Sequence, residues 1–315
     1  MTPATAIIIF VIGIAIVVYS AEKLVKGIVG LSLRFVGLSA FLITTIFLGF
    51  DPENLFVGAT GTIENLSGIA LGSIIGATMV AITLALGITV LFVELKFKKI
   101  SKSILAVSFL SGVLLLLLSI DGTISRPDGI VLLGAFGLSI YYLSTLSKKG
   151  IDIKPAGEIK ESLKERQNLN KQYSIYIFTA SLIGIIVGSE FLIRGAKPII
   201  NYLGLTDTIF GMTLLALLIS IEELARELPA ALKGRSDITF GNIVGSILHF
   251  FLLNAGLIAL VNPIKVDRQT LYYYFPIVLI TILLISLFIL RKKIPRWAGA
   301  VFIAIYVIFF IGSYI

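Results

Sequence analysis

The sequence predicts an all-α membrane protein with ten transmembrane helices, arranged as two inverted repeats of five helices each. Hydrophobic residues make up 57% of the 315 residues and charged residues only 14%. A soluble domain of this length could not remove that much apolar surface from water. Ten apolar stretches are each close to the roughly 20 residues that cross a bilayer. The basic residues between them follow an alternating pattern, which fixes the topology.

The apolar stretches give each predicted helix a position, with segments two and seven unusually polar. No basic stretch precedes the first segment and no clear cleavage site follows it, so we expect a retained helix rather than a signal peptide. The predicted segments are 4–20, 38–58, 68–93, 103–120, 129–146, 173–193, 208–231, 238–261, 271–290 and 297–314.

The distribution of Lys and Arg predicts the orientation in the membrane. With ten crossings, 20 of the 26 basic residues fall in loops on one side and five on the other. The basic side of a membrane protein is normally cytoplasmic. We therefore expect a multi-pass protein of the cell membrane with both termini outside. The net charge of +8 belongs to these loops beside the lipid bilayer, so no nucleic-acid partner is expected.

The one long polar loop, 147–172, divides the chain into two predicted halves, 1–146 and 173–315. An odd number of segments per half means that the halves insert with opposite orientations, as in many secondary transporters. Local matches recur in the same order in both halves. Among them, 20–27 (SAEKLVKG) parallels 188–195 (GSEFLIRG), and 69–72 (IALG) parallels 238–241 (ITFG). The loop is predicted to be cytoplasmic.

Carboxylates interrupt segments two and seven. Asp51 and Glu53 flank Pro52, and Glu222 and Glu223 are adjacent in mid-segment. A carboxylate in the hydrocarbon region is costly, so these residues predict a functional site. Hard divalent cations bind oxygen ligands, with Ca²⁺ taking about 6–8. Glu53 and Glu223 occupy equivalent places in the two halves and would face each other across the repeat axis.

Small-residue runs open segments three and eight, at 72–77 (GSIIGA) and 241–246 (GNIVGS). They allow helices to approach closely, and Ser73, Asn242 and Ser246 could add hydroxyl or amide ligands. Packing alone is the alternative. Cys is absent, which excludes disulfides and thiolate metal sites. One His, no H-E-x-x-H motif and no pair of transmembrane Asp residues argue against an intramembrane enzyme, and no cofactor is expected.

The chain resembles the cation/Ca²⁺ antiporter (sodium/calcium exchanger) superfamily. Residues 219–224 (ISIEEL) are similar to the family motif G-T-S-x-P-E, and 241–246 match G-N-x-x-G-S; the counterparts at 52–53 and 72–77 are weaker. The resemblance implies ten helices in inverted repeats and Ca²⁺ export by alternating access. It also implies that Glu53 and Glu223 bind calcium and that Ser220 lies in the same site.

The chain departs from the family at positions that bear on the coupling ion. Glu222 stands where the family has Pro. The family's sodium-site positions on helices three and eight align with Ala77, Ala81 and Phe250, whose side chains cannot coordinate Na⁺. The expected activity is therefore Ca²⁺ exchange for either H⁺ or Na⁺. The alternative is a non-transporting or passively conducting relative with a degenerate ion site.

Several roles stay open at this point. Asp51 is either a ligand or a helix cap, and His249 is either a packing residue or a proton relay. Glu222 and Arg226 are four residues apart on a predicted helix, which favours an ion pair. The oligomeric state is not predicted, and a monomer fits. The candidate metal ligands are Glu53, Glu223, Ser220, Asp51, Asn242, Ser246, Ser73 and Glu222.

Overall fold

A computed structural model describes residues 1–31, 50–97, 101–148 and 171–314. Its helices are α1 (Pro3–Leu31), α2 (Pro52–Ile63), α3 (Ser67–Phe92), α4 (Lys102–Ser119), α5 (Arg126–Lys148), α6 (Lys171–Leu203), α7 (Asp207–Ser220), α8 (Glu222–Leu232), α9 (Ser236–Val261), α10 (Thr270–Leu290) and α11 (Arg296–Ile311). Four two-residue strands lie between them: β1 (Leu95–Lys96), β2 (Thr123–Ile124), β3 (Ile264–Lys265) and β4 (Lys293–Ile294). The fold is therefore all-helical apart from these short ladders.

Membrane-spanning helices account for most of the described chain. Seven helices are long and apolar enough to cross a bilayer, and the bent pair α7–α8 makes up to eight. The 16-residue α11 is shorter, and most of predicted segment two lies at 32–49, outside the described residues. The prediction of an all-α membrane protein is confirmed, whereas ten crossings stay a prediction.

Helices α3 and α9 form the centre of the molecule. In each, 83% of the apolar window is buried, compared with 33% for α1 and 28% for α6. Both contain wide, π-helical turns, including Gly72–Gly76 in α3 and His249–Asn254 in α9. Such turns are frequent at functional sites. The small-residue runs of the sequence thus lie on the two most enclosed helices.

Glycines allow α3 and α7 to cross at backbone contact. A Cβ atom built on Gly72 would lie 2.1 Å from the backbone carbon of Gly211. A Cβ atom on Gly68 would lie 2.1 Å from the backbone nitrogen of Thr208. Any larger residue at these positions would push the two helices apart.

Helices α1 and α6 pack against each other along their length, again through glycines. A Cβ atom on Gly27 would meet the backbone of Phe178, and one on Gly195 would meet the backbone of Phe10. Helix α6, with 33 residues, runs ten residues beyond predicted segment six. Much of the surface of both helices is apolar and exposed, as lipid contact requires.

Contacts between the two halves come in reciprocal pairs. Strand β1, after α3, pairs antiparallel with β4, before α11; strand β3, after α9, pairs with β2, before α5. Gly129 of α5 approaches the Gly256 carbonyl of α9 in the same way that Gly299 of α11 approaches the Gly87 carbonyl of α3. Each half therefore uses the same elements to contact the other.

We predict that Gly72→Ala lowers the free energy of unfolding by about 1–3 kcal/mol, because the new methyl group must separate α3 from α7. The check is thermal or denaturant unfolding of the detergent-purified protein. Gly134→Ala is the matched control, because nothing lies within 4 Å of a Cβ atom at that position. Equal stability of the two variants would contradict the tight crossing.

A second prediction concerns Glu94, outside the membrane spans. Lys293 lies 2.8 Å from one Glu94 carboxylate oxygen and Lys96 lies 3.3 Å from the other. The hydrogen bond from Lys293, and then that from Lys96, lowers the pKa of Glu94 below its ordinary 4.5. These two ion pairs therefore stabilise the fold above pH 4.5. Their contribution to the free energy of unfolding is lost as the pH falls through the lowered pKa of Glu94. Melting curves should show Glu94→Gln slightly less stable than wild type at neutral pH, with the difference shrinking as the pH falls below 4.5.

Candidate metal centre

The start of one helix and a bend between two others bring the predicted carboxylates into the protein interior. Asp51 has an extended backbone (φ −122°, ψ 91°), and α2 begins at Pro52 directly after it. Proline is favoured at a first helical position because its missing N–H is not needed there. On the other side, α7 ends at Ser220 and α8 begins at Glu222, with a bend of 49° between them.

Asp51, Glu53 and Glu222 form one carboxylate group. One oxygen from each lies within 4.8 Å of the other two. Asp51 and Glu53 are 0% and 1% exposed. The Asp51 side chain accepts no hydrogen bond from the first turn of α2, so it does not act as a helix cap. This set of oxygen ligands has the chemistry that hard divalent cations prefer.

A second group surrounds Glu223. Asn242 of α9 donates hydrogen bonds from Nδ2 to Glu223 Oε2 at 2.6 Å and to Glu227 Oε1 at 3.2 Å. Ser246, one turn further along α9, donates to Glu223 Oε1 at 3.3 Å. The structure therefore brings the predicted Glu223, Asn242 and Ser246 together. Glu227 joins this group as well. Its position four residues after Glu223, one helical turn away, could have predicted this from the sequence.

The Arg226 side chain lies between the two groups. It forms an ion pair with Asp51, donates from Nη2 to Glu222 Oε1 at 2.7 Å, and holds Nη1 3.6 Å from Glu223 Oε1. The predicted Glu222–Arg226 pair is confirmed. Its extension to Asp51, 175 residues away along the chain, has no local signal in the sequence. Direct coordination of one ion by Glu53 and Glu223 stays a prediction.

Neutral polar residues complete the site. Asn54, which the sequence analysis missed, donates from Nδ2 to Ser220 Oγ at 3.3 Å, linking α2 with the end of α7. Ser73 is fully buried in the first π-helical turn of α3. Among the buried oxygens that have no hydrogen-bond partner within the described part of the chain, five belong to residues of these groups: Asp51 Oδ2, Glu53 Oε1, Asn54 Oδ1, Ser73 Oγ and Glu227 Oε2. Buried polar atoms normally have a partner, so these oxygens fit a site for cations.

Four further positions bear on the coupling ion. His249 donates from Nδ1 to the Gly245 carbonyl at 2.9 Å, and its ring packs edge-on against Phe136 with centroids 5.0 Å apart. These contacts fit a packing residue, and a role as a proton relay stays a prediction. Ala77, Ala81 and Phe250 are fully buried and offer no ligand atom. The positions that would bind sodium in the resembled family are therefore apolar within the core.

The protein's relatives identify its family. The family model described as "Sodium/calcium exchanger protein" matches residues 5–145 and 173–315. The chain belongs to this family of membrane transporters. Its predicted assignment to the family, and its classification as a transporter rather than an enzyme, are confirmed.

Individual relatives cover nearly the whole chain. The uncharacterized membrane protein MJ0091 of Methanocaldococcus jannaschii is 29% identical over 301 residues, 95% of each chain. The putative antiporter CaxA of Alkalimonas amylolytica is 25% identical over 83% of this chain and 82% of its own. A solved structure of the sodium-calcium exchanger NCX_Mj superposes with a TM-score of 0.61 at 25% identity, covering 98% of both chains.

We predict that Asn242→Ala lowers the free energy of unfolding by about 1–3 kcal/mol, because two buried carboxylates lose the donor that they share. The measurement is chemical unfolding in detergent at neutral pH. Asn201→Ala, at an exposed position of α6, is the control. If Asn242→Ala is as stable as this control, the donor role of Asn242 is wrong.

Proposed function

We propose that the protein is a secondary antiporter that exports Ca²⁺ in exchange for H⁺ or Na⁺ by alternating access. The observation that carries the proposal is the group of Asp51, Glu53 and Glu222 oxygens within 4.8 Å of one another, of which Asp51 and Glu53 are buried. Membership of the sodium/calcium exchanger family supports cation exchange as the activity. Arg226 supplies one positive charge to this group of three carboxylates, and buried carboxylates without full counter-charge are costly, so the group fits a site through which cations pass.

In this proposal, Ca²⁺ binds between the two carboxylate groups. Glu53 and Glu223, one from each half, are the principal charged ligands. Supporting oxygens come from Asp51, Glu222, Ser220, Ser73, Asn242 and Ser246. Together they offer more oxygens than the roughly 6–8 that Ca²⁺ takes, so several serve in only one conformation. The coupling ion competes for the same carboxylates, which makes the two ions alternate rather than bind together.

Both coupling ions fit this scheme. Protons require only the carboxylates, which are present, and the apolar Ala77, Ala81 and Phe250 favour them. Sodium requires further oxygen ligands, and Ser73 Oγ and Asn54 Oδ1 are buried oxygens that could supply them. The similar solved structure, NCX_Mj, is described as a sodium-calcium exchanger, which supports sodium as the coupling ion.

The proposed architecture is ten helices in two inverted repeats, residues 1–146 and 173–315, joined by a cytoplasmic loop at 147–172. The reciprocal pairing of β1 with β4 and of β2 with β3 supports the repeat. Each ladder also joins two loops that the basic residues assign to the same side of the membrane. This agreement supports a cell-membrane topology with both termini outside.

The proposed conformational change is a sliding of α1 and α6 against the remaining helices. These two helices pack mainly on each other and on lipid, while α3 and α9 hold the site in the centre. A movement of the pair would expose the site first to one side of the membrane and then to the other. Alternating access requires such a rearrangement around a fixed midplane site.

A second candidate function is a non-transporting or passively conducting relative. The observation that favours it is the Arg226 guanidinium, which occupies carboxylates that would otherwise be available to a cation. A protein with a permanently blocked site would bind little Ca²⁺. A passive conductor would move Ca²⁺ without an opposing gradient.

Flux measurements in proteoliposomes test the antiporter. An imposed H⁺ or Na⁺ gradient should drive accumulation of radioactive Ca²⁺, and comparing the two gradients identifies the coupling ion. Glu223→Gln should reduce the initial rate about 30-fold or more, because removing a buried charged partner costs about 2–5 kcal/mol. Glu190→Gln is the matched control, since Glu190 pairs with Arg194 on the surface of α6.

The outcomes separate the candidates. Accumulation that depends on a gradient and is lost only in Glu223→Gln supports the antiporter. Calcium entry that ignores both gradients identifies a passive conductor. The absence of entry under either gradient, with Mn²⁺ also failing to bind the purified protein, identifies a degenerate site.

A further inference from the structure

Arg226 places a permanent positive charge inside the carboxylate site. Its side chain is 11% exposed and its terminal nitrogens contact Asp51, Glu222 and Glu223. Asp51 and Glu223 are fully buried. A guanidinium stays charged at any pH that a cell experiences. The site therefore holds a cation that it cannot release into solution.

The guanidinium and a divalent ion would use the same ligands. Two members of the three-carboxylate group, Asp51 and Glu222, are the two that form the closest contacts with Arg226. Glu53, the third member, keeps a buried oxygen without a hydrogen bond in the described chain. Entry of Ca²⁺ at this group must therefore weaken or displace the contacts of Arg226 with Asp51 and Glu222.

Glu222 and Arg226 also form a charge-balanced pair at the site. The resembled family motif has Pro where this chain has Glu222. Arg226 lies four residues later on α8 and donates to the Glu222 carboxylate at 2.7 Å. The guanidinium does more than balance Glu222, because it also contacts Asp51 and Glu223.

We infer that Arg226 acts as a tethered counter-ion, taking the place of one monovalent cation that the carboxylates would otherwise bind in each transport cycle. This inference rests on the proposed antiport activity. In the calcium-free state the guanidinium pairs with Asp51 and Glu222. When Ca²⁺ enters, the guanidinium moves off these carboxylates but stays attached to α8. Because the tethered charge is never released, the protein uses one coupling ion fewer per Ca²⁺.

The coupling number provides a direct test. Proteoliposomes are held at zero membrane potential with a tenfold gradient of the coupling ion, and the Ca²⁺ ratio is measured once net flux stops. Each additional coupling ion multiplies that final ratio about tenfold. Arg226→Gln should therefore accumulate Ca²⁺ to a ratio about ten times that of wild type, even if its initial rate is lower. Arg226→Lys, which keeps the charge, should reach the wild-type ratio.

Two further variants keep the test decisive. Arg226→Met, a second neutral substitution, should exceed the wild-type ratio as Arg226→Gln does. Arg235→Gln is the matched control, because Arg235, in the loop after α8, pairs with Asp237 at the start of α9, and it should behave as wild type. If Arg226→Gln is too unstable to reconstitute, Arg226→Met supplies the measurement.

The results distinguish this inference from the proposed function. Gradient-driven uptake by wild type with an unchanged final ratio in Arg226→Gln, or in Arg226→Met when it is used alone, overturns the tethered counter-ion and leaves the antiporter standing. Arg226 would then be a structural ion pair. The absence of gradient-driven uptake by wild type overturns both proposals. A raised ratio in the neutral variants, with wild-type ratios in Arg226→Lys and Arg235→Gln, supports the inference.

Discussion

The electrostatic cost of holding carboxylates inside a membrane protein governs the arrangement of this molecule. Asp51, Glu53, Glu223 and Glu227 are all buried, and each would be strongly destabilising in hydrocarbon without a partner. The chain meets this requirement with a mixture of charged and neutral donors. Arg226 compensates one side of the site, and the Asn242 amide serves two carboxylates on the other. The oxygens left over are those available to transported cations.

Backbone irregularity is what makes this concentration of polar groups possible. The extended Asp51 before α2 and the 49° bend before Glu222 direct the carboxylate side chains into the interior. A straight helix would instead present its side chains in regular rows along its surface. Gly72 and Gly211 let α3 and α7 touch through their backbones, so the polar side chains of neighbouring helices lie within bonding distance. Irregular backbone is tolerated at membrane depth where protein encloses it, and here α3 and α9 provide that enclosure.

The sequence predicts features that depend on residues close together in the chain. It does not predict contacts between residues that are far apart in the chain. Apolar runs predict most helices because length and hydropathy suffice to define a crossing. The Glu222–Arg226 pair follows from helical spacing alone. By contrast, no periodicity in the sequence predicts the ion pair of Arg226 with Asp51 in the other half. Nor does any predict the hydrogen bond from Asn54 to Ser220. The end of α6 at Leu203 was missed because its last ten residues are polar enough to leave the apolar window while remaining helical.

The paired strands carry a consequence for how the molecule assembles. Each two-residue ladder draws one strand from the N-terminal half and one from the C-terminal half, at β1–β4 and at β2–β3. Without the other half, each of these strands would lack its partner, and unpaired strand edges invite non-native association. The two halves therefore depend on each other at these loops. When only the first half has been synthesised, β1 and β2 have no partner strands until the second half supplies β4 and β3.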